Sequence, residues 1–576
     1  MGMGRSSRTI DHVVSFLRQQ GLRHVFGVGG ANIEDLYDAL HGAGDDGEAP
    51  TGLVAKHEFS AATMADGYHR AGGGPAVIVA TSGAGAMNLV PGLAELRASA
   101  VPALALIGQP PTELDGLGSF QETSGLAGSI DAVRLFGEIA VFCARVDDPA
   151  RITELLPAAL EAALGPVPGP AVLLLPKDVQ QAKLPHPVPA RPVVPTRRPL
   201  SPATAREAAK TLLTRAAAER GVTVIAGTSV VRADARAELE AFSESLNAPV
   251  AVAPDARDAF DNRHPLFLGV SGAIGHAAVV EAVAGASAVV LAGTRLPQLA
   301  GGALRETLKD VPVVCLDASP PFLTADHTEL VHLDGPLREE LAALTERLGA
   351  ASQGRPHPPT PADRPGTGTA AAQSAVRDAS APHAELGLRT LMGALQLLLP
   401  PRTNIVVDAG NTGAAAIHYL PTPPGGRFIV AQGMGGMGHS FGAAVGACLA
   451  TGEPTVVVAG DGSFYMHGME VHTAAELGLP ITYLIVNNNA HAMCHTRERV
   501  FFSGDYSYNL FRPARIGPGV AELFPGIPGH EVTGLDQLTR SLTAPPARGP
   551  LLVSVTVDPH EVPPFEPFNR PWVSRS

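Results

Sequence analysis

Two apolar runs, each ending in a short polar cluster, constrain this chain more than any other feature in it. Residues 454–459 (Pro-Thr-Val-Val-Val-Ala) read as a buried strand that ends in Gly460-Asp461-Gly462-Ser463-Phe464. A helical pattern then runs through Glu476-Leu477-Gly478. A second strand, residues 481–486 (Ile-Thr-Tyr-Leu-Ile-Val), delivers Asn487-Asn488 at its end. Both clusters therefore fall at the carboxyl ends of strands, where open α/β sheets bind ligands.

The residue types narrow the ligand. Asp461 offers a hard anionic oxygen, and Asn488, 27 positions on, offers a neutral amide oxygen. Mg²⁺ takes one or two carboxylates in an octahedral shell and completes it with water and phosphate oxygens. The Gly462-Ser463 turn, opening a helix, presents backbone N–H groups and a positive dipole end to an anion. Together they suggest a metal-bridged diphosphate site; a tight turn before a polar strand end is the plainer alternative. The segment resembles the GDG…NN motif of thiamine diphosphate enzymes. By that resemblance Asp461, the side chain of Asn488 and the backbone carbonyl of Ala490 hold Mg²⁺, with Gly462 and Ser463 beside the diphosphate.

At 576 residues the chain has room for roughly three or four domains. A net charge of −13 argues against a nucleic-acid partner. Cys143, Cys315, Cys448 and Cys494 are scattered without a CxxC pair, which reads as reduced thiols in a cytoplasmic protein. No apolar run reaches the ~18 residues of a membrane span. The first eight residues are not followed by the apolar core of a signal peptide.

Along the chain, helix and strand alternate in the rhythm of parallel sheets, and the expected class is α/β with three doubly wound parallel-sheet domains. Residues 1–185 form the first domain, with strands at 24–28, 75–80 and 102–108 and helices over 9–20 and 59–68. Pro-rich sequence from 184 to 202 reads as a linker. Residues 200–350 form a central α/β domain with strands near 222–227, 249–252, 288–293 and 313–317 and no evident catalytic constellation. Residues 351–384 lack hydrophobic periodicity and read as a flexible linker. Residues 385–576 hold the Asp461 and Asn488 clusters. By the resemblance, the first domain binds the pyrimidine of the cofactor and the last its diphosphate and metal.

Three further stretches carry candidate chemistry. Glu58 follows an apolar strand and opens an apolar helix; by itself it reads as a carboxylate favoured by the helix dipole. His57-Glu58-Phe59-Ser60-Ala61-Ala62, with Ala65-Asp66-Gly67-Tyr68, resembles the family segment whose glutamate exchanges a proton with the aminopyrimidine ring. Gly433-Met434-Gly435-Gly436-Met437-Gly438 fits GxGxxG, the dinucleotide fingerprint, but a dinucleotide leaves Glu58 and Asn487-Asn488 unexplained. Under the resemblance Gly435 lies in the cofactor loop and Met437 is the bulky residue under the bent cofactor; a core methionine is the alternative. Gly410-Asn411-Thr412-Gly413 is a polar turn after the strand 405–408, donating to the diphosphate or only making the turn.

The resemblance covers nearly the whole chain and is strongest to acetolactate synthases. Phe120-Gln121-Glu122-Thr123, residues 175–180 and residues 487–502 carry it, and Gln121 corresponds to that family's active-site glutamine. The departures lie around the substrate and flavin. The synthase lysine after that glutamine is lost near Gly137-Glu138-Ile139-Ala140. Arg497 stands where the synthases have a tryptophan, and His491, Cys494 and His495 also depart from the pattern. Arg295-Leu296-Pro297-Gln298-Leu299 and Ala226-Gly227-Thr228-Ser229 replace the flavin-binding segments, which argues against FAD.

The resemblance thus implies a thiamine diphosphate- and Mg²⁺-dependent acetolactate synthase-like enzyme. It would form an acyl-anion equivalent from a 2-oxo acid donor, taken as pyruvate, and ligate it to a carbonyl acceptor. Plain decarboxylation, or an inactive cofactor-binding paralogue, remains open. Glu58 and Gln121 are the catalytic candidates and Arg497, His491 and His495 the substrate candidates. A homodimer or homotetramer with sites at the subunit interface, no nucleic acid and no membrane complete the expectation.

Overall fold

The computed structural model describes residues 8–44, 48–184, 192–194, 198–324, 327, 329–349, 373, 386–502, 506–546 and 548–563. The expected linker at 351–384 falls outside them, Gln373 aside, as does most of the Pro-rich stretch at 184–202.

Among the described residues, eighteen strands form three six-stranded sheets, and the strand pairings within them are parallel. The first contains β1 (His24–Gly27), β2 (Thr51–Val54), β3 (Ala76–Ala80), β4 (Ala103–Gln109), β5 (Phe142–Arg145) and β6 (Pro170–Pro176), ordered β2-β1-β3-β4-β6-β5. The second contains β7 (Val222–Ala226), β8 (Val250–Val252), β9 (Phe267–Val270), β10 (Ala288–Ala292), β11 (Val313–Leu316) and β12 (Leu330–Leu333), ordered β12-β11-β10-β7-β8-β9. The third contains β13 (Asn404–Val407), β14 (Phe428–Val430), β15 (Thr455–Gly460), β16 (Ile481–Asn487), β17 (Gly529–Val532) and β18 (Leu551–Thr556), ordered β14-β13-β15-β16-β18-β17. Sheets one and three thus share one strand order without an obvious sequence repeat. Each reverses direction beside its first strand, and such a switch point opens a crevice at the strand carboxyl ends. In sheet three that crevice lies between β13 and β15, at Asp408 and Gly460-Asp461.

The central strands are runs of Val, Ile, Leu and Ala with almost no exposed surface, as parallel strands covered on both faces require, while the edge strands β2, β5, β12 and β17 are partly exposed. By packing, the chain forms two compact units. One comprises residues 1–197, 431–452 and 466–481 and holds the first sheet; the other comprises the remainder and holds the second and third, which share one apolar core.

Within the first unit the helix Glu58–Tyr68 lies against the helix His439–Thr451 at backbone distance. A Cβ on Gly446 would stand 1.9 Å from Met64 O, and one on Gly67 would stand 2.0 Å from Ala443 O. Only glycine admits this approach. Asp66 and His439 meet across the same crossing, Nε2 to Oδ2 at 2.7 Å, and Arg70 Nε donates to Asp66 Oδ1 at 2.9 Å. Burial pushes Asp66 up, but Arg70 and His439 outweigh it and hold the carboxyl well below the usual carboxylate range.

Candidate active site

In the second unit β15 ends at Gly460, and Asp461 begins the helix Asp461–His467. β16 ends at Asn487. Asn487 Nδ2 then donates to Ala514 O at 2.8 Å, and its Oδ1 accepts the Asn489 N–H at 3.3 Å. Asn489 takes a left-handed conformation (φ +53°), which turns the chain back toward Asp461. As a result Asp461 Oδ2 and Asn488 Oδ1 both accept the Ala490 N–H, each at 3.1 Å. A carboxylate and an amide oxygen from two strand ends therefore converge within a few ångströms.

Ala490 is held by a short antiparallel bridge to Leu510. Its two hydrogen bonds run from the His491 N–H to Asn509 O and from the Phe511 N–H to Asn489 O, so neither uses the Ala490 carbonyl. Asp461 is 1% exposed, and among the described residues it has no cationic partner. Burial raises its carboxyl to about 6, opposed only by backbone N–H donors. A buried carboxylate beside a neutral amide oxygen, with no cation of its own, fits a divalent metal of the Mg²⁺ class.

The neighbouring strand end adds Asp408, whose Oδ1 accepts the Ser463 hydroxyl at 2.5 Å. Ser463 therefore spends its side chain on the protein. Gly410-Asn411-Thr412-Gly413, read as a turn, is instead the first turn of the helix Gly410–Tyr419; Gly410 supplies the φ of +95° at its entry. The run of small residues continuing to Ala416 was the signal for that helix. Asn411 Nδ2 donates to Thr496 Oγ1 at 3.2 Å, while its Oδ1 is buried without a partner.

Glu58 lies in the first unit, at the start of its helix and capped by His57, whose Nδ1 accepts the Phe59 N–H at 3.0 Å. The Glu58 carboxylate is buried, and its Oε2 accepts the Asn88 amide at 3.0 Å. A Cβ on Gly85 would come within 3.0 Å of both Glu58 Oε1 and Thr81 Cγ2, so glycine is what lets the helix Ala84–Ala98 approach the carboxylate. Asn88 was not foreseen from sequence; its spacing from Glu58 carries no local pattern. Gln121 takes a left-handed conformation (φ +62°). It stands against Gly83, and Ser82 Oγ lies 3.5 Å from its Oε1. Ser82 in turn accepts from Asn32 Nδ2 at 2.7 Å. Glu58 and Gln121 thus flank one segment, residues 81–88.

The GxGxxG segment is a loop between β14 and the helix His439–Thr451. Its backbone donors are already occupied: Gly433 N–H donates to Glu95 Oε1 at 3.0 Å, and Gly435 N–H to Oε2 at 3.3 Å. The amides that would cradle a dinucleotide pyrophosphate are thus turned to a protein carboxylate, which is the physical case against that alternative. Met437 is half-buried and not part of the core.

The helix Ala492–Phe501 carries the substrate candidates His495 and Arg497, and His491 is its N-cap residue. His495 is buried, with Nδ1 3.0 Å from Ser507 Oγ and Nε2 3.1 Å from His560 Nδ1. Burial, then His560, lowers its pKa. Glu498, two turns from His491, accepts from Ser507 Oγ and Asn509 Nδ2 at 2.6 Å each. The His491 ring meets Phe511 edge-on at 4.7 Å. Arg497 is exposed, has no ion pair among the described residues, and lies 6.0 Å from the Phe501 ring centroid.

Residues 8–128 match the N-terminal TPP binding domain of thiamine pyrophosphate enzymes, 207–344 their central domain and 408–555 their C-terminal TPP binding domain. The chain is 30% identical to an acetolactate synthase large subunit of Parasynechococcus marenigrum, over 92% of its own length and 84% of the relative. It is 29% identical to the acetolactate synthase isozyme 2 large subunit of Escherichia coli, over 95% of each. A solved structure from Mycobacterium smegmatis, provisionally described as a thiamin diphosphate-dependent enzyme, superposes with a TM-score of 0.77 at 23% identity, covering 95% of this chain and 99% of that one.

Proposed function

From a chain that belongs to the thiamine pyrophosphate-dependent enzymes, and within them is acetolactate synthase-like, we propose a Mg²⁺-dependent enzyme that joins a 2-oxo acid donor to a carbonyl acceptor. The observation that carries the metal is the convergence of Asp461 Oδ2 and Asn488 Oδ1 on the Ala490 N–H. In this reading those two oxygens and the Ala490 carbonyl hold Mg²⁺, which ties down the diphosphate. The N–H groups of Gly462 and Ser463 and the helix start at Gly410-Asn411-Thr412 complete its surroundings. When bound, the cofactor supplies the carbanion chemistry that no side chain offers.

Glu58 holds and returns a proton at the pyrimidine ring nitrogen, its carboxyl oriented by Asn88. Gln121 orients the substrate oxygen, and Met437 supports the cofactor from below. Donor decarboxylation precedes attack on the acceptor. Arg497 presents five donors and a fixed charge with no acidic partner among the described residues, which suits a carboxylate or phosphate on that acceptor. No flavin takes part, and the active form is a homo-oligomer.

The test is product analysis with thiamine diphosphate, Mg²⁺ and pyruvate, alone and with neutral or acidic carbonyl acceptors. A 2-hydroxy ketone product supports ligation; CO₂ with free aldehyde only makes the protein a decarboxylase. Arg497→Trp should lower kcat/KM for an acidic acceptor by roughly 10–150-fold, the loss of one charge-assisted contact, with donor CO₂ release little changed. Unchanged acceptor kinetics would leave Arg497 a surface residue.

A further inference from the structure

The carboxyl ends of β8 and β9 carry a group of hydrogen-bond donors with nothing to donate to. Arg257, five residues beyond β8, has no exposed surface. Its Nε donates to Leu420 O at 3.1 Å, and its guanidinium carbon lies 5.7 Å from the Phe267 ring centroid. Nη1 and Nη2 are buried without partners. Among the described residues no carboxylate pairs with it, and burial alone pulls its pKa down to about 9.

His276, six residues beyond β9, is buried as well. Its Nδ1 accepts the Val270 N–H at 3.0 Å, which leaves the ring proton on Nε2. That Nε2 is also buried without a partner. The ring stacks on His418 with centroids 4.0 Å apart. After burial itself, the charge of Arg257 is among the influences that keep both rings below the ordinary histidine value.

An enclosed guanidinium with two free faces is among the costliest arrangements in a protein interior. The open groups of Arg257 and His276 are all donors, and the Ser271 hydroxyl just beyond β9, also buried without a partner, can donate as well, which suits neither a cation nor a neutral acceptor-poor filler. Charge and donor geometry both call for an anion. The complete enclosure of Arg257 leaves no mouth for an organic acid. We propose that Arg257 and His276 form a buried site for one small monovalent inorganic anion of halide size, in the central sheet. The inference does not depend on the cofactor reading, since these residues belong to a different sheet from Asp461.

The experiment is a thermal melt of the whole protein exchanged into halide-free gluconate buffer, then titrated with sodium chloride or bromide at constant ionic strength. An anion bound only by the folded state raises Tm with its concentration. The wild-type Tm should climb with halide, while Arg257→Met should be insensitive to halide and melt no lower than wild type in gluconate. A flat wild-type response, or the same climb in both proteins, overturns the proposal. Should Arg257→Met fail to fold, crystals of the wild-type protein grown in bromide decide. An anomalous peak within about 3.5 Å of an Arg257 Nη and His276 Nε2 supports the site; water or no density there removes it.

Discussion

Asp461 ties the candidate site to pH, and the sign follows from its environment. Its ordinary value is 3.8, and in the folded, metal-free protein burial raises it to about 6. The folded state therefore holds a proton that the unfolded chain releases, and stability falls as pH rises from about 4 to about 6, by roughly 3 kcal/mol. A divalent cation needs the ionised form. The gain in Tm from Mg²⁺ with thiamine diphosphate should accordingly grow as pH rises through about 6, and Asp461→Asn should keep only a small gain without that step. Thermal melts from pH 5 to 8 test this, and a wild-type gain in Asp461→Asn would remove Asp461 from the metal site. Glu58 makes the complementary case. Glu58→Gln keeps an oxygen for Asn88, so cofactor affinity by calorimetry should hold, while turnover should drop about 10²–10⁴-fold for want of the acid–base group. Near-normal turnover would reduce Glu58 to a helix-start carboxylate. Asp461 stood out in the sequence because a strand end marks it locally, whereas Glu58 by itself read as a helix-start carboxylate and became a candidate only through the family resemblance. Asn88, Glu95 and Arg257 did not stand out, because their significance lies in contacts that no local pattern encodes, such as Glu95 with Gly433.

At the scale of elements, apolar runs bounded by Gly and polar residues exposed most central strands of the three sheets, although β18 (Leu551–Thr556) fits that pattern and went unread. Two other unread strands break the pattern. β9 contains Gly269 in a left-handed conformation (φ +130°) opposite His276, and β17 is a short edge strand, Gly-His-Glu-Val, with little apolar content. The helix at Gly410 opens with turn-forming residues, and its apolar body begins only at Ala414. The crossing of Glu58–Tyr68 with His439–Thr451 was likewise invisible, although it fixes the helix that begins with Glu58. A methyl group at Gly446 has backbone on the far side and nowhere to go. Gly446→Ala should destabilise by about 1–3 kcal/mol or more and lower turnover, by shifting the helix that carries Glu58. A Tm within a degree of wild type would mean the crossing can open without cost. Gly452→Ala on the same helix meets no neighbour within 4 Å, so any loss there isolates the effect of its own φ of +69°.

The whole molecule raises the question of how many copies make one active site. Glu58 and Asp461 lie in different compact units, and resemblance to the thiamine diphosphate enzymes pairs these two functions across a subunit interface. The expected consequence is complementation between inactive variants. A dimer of Glu58→Gln with Asp461→Ala would concentrate both defects in one site and leave the other whole. Random exchange makes half the dimers mixed, each with one sound site of two, so activity should return to about a quarter of wild type. If each site were built from one chain, no combination would restore a sound pair and the mixture would stay as inactive as its components. The measurement is acyloin formation after co-expression, or after dissociating and reassociating the two purified variants. Reassociated single-variant controls give the baseline. Recovery above it assigns the site to two copies, and its absence, with mixed dimers verified by mass spectrometry, assigns it to one.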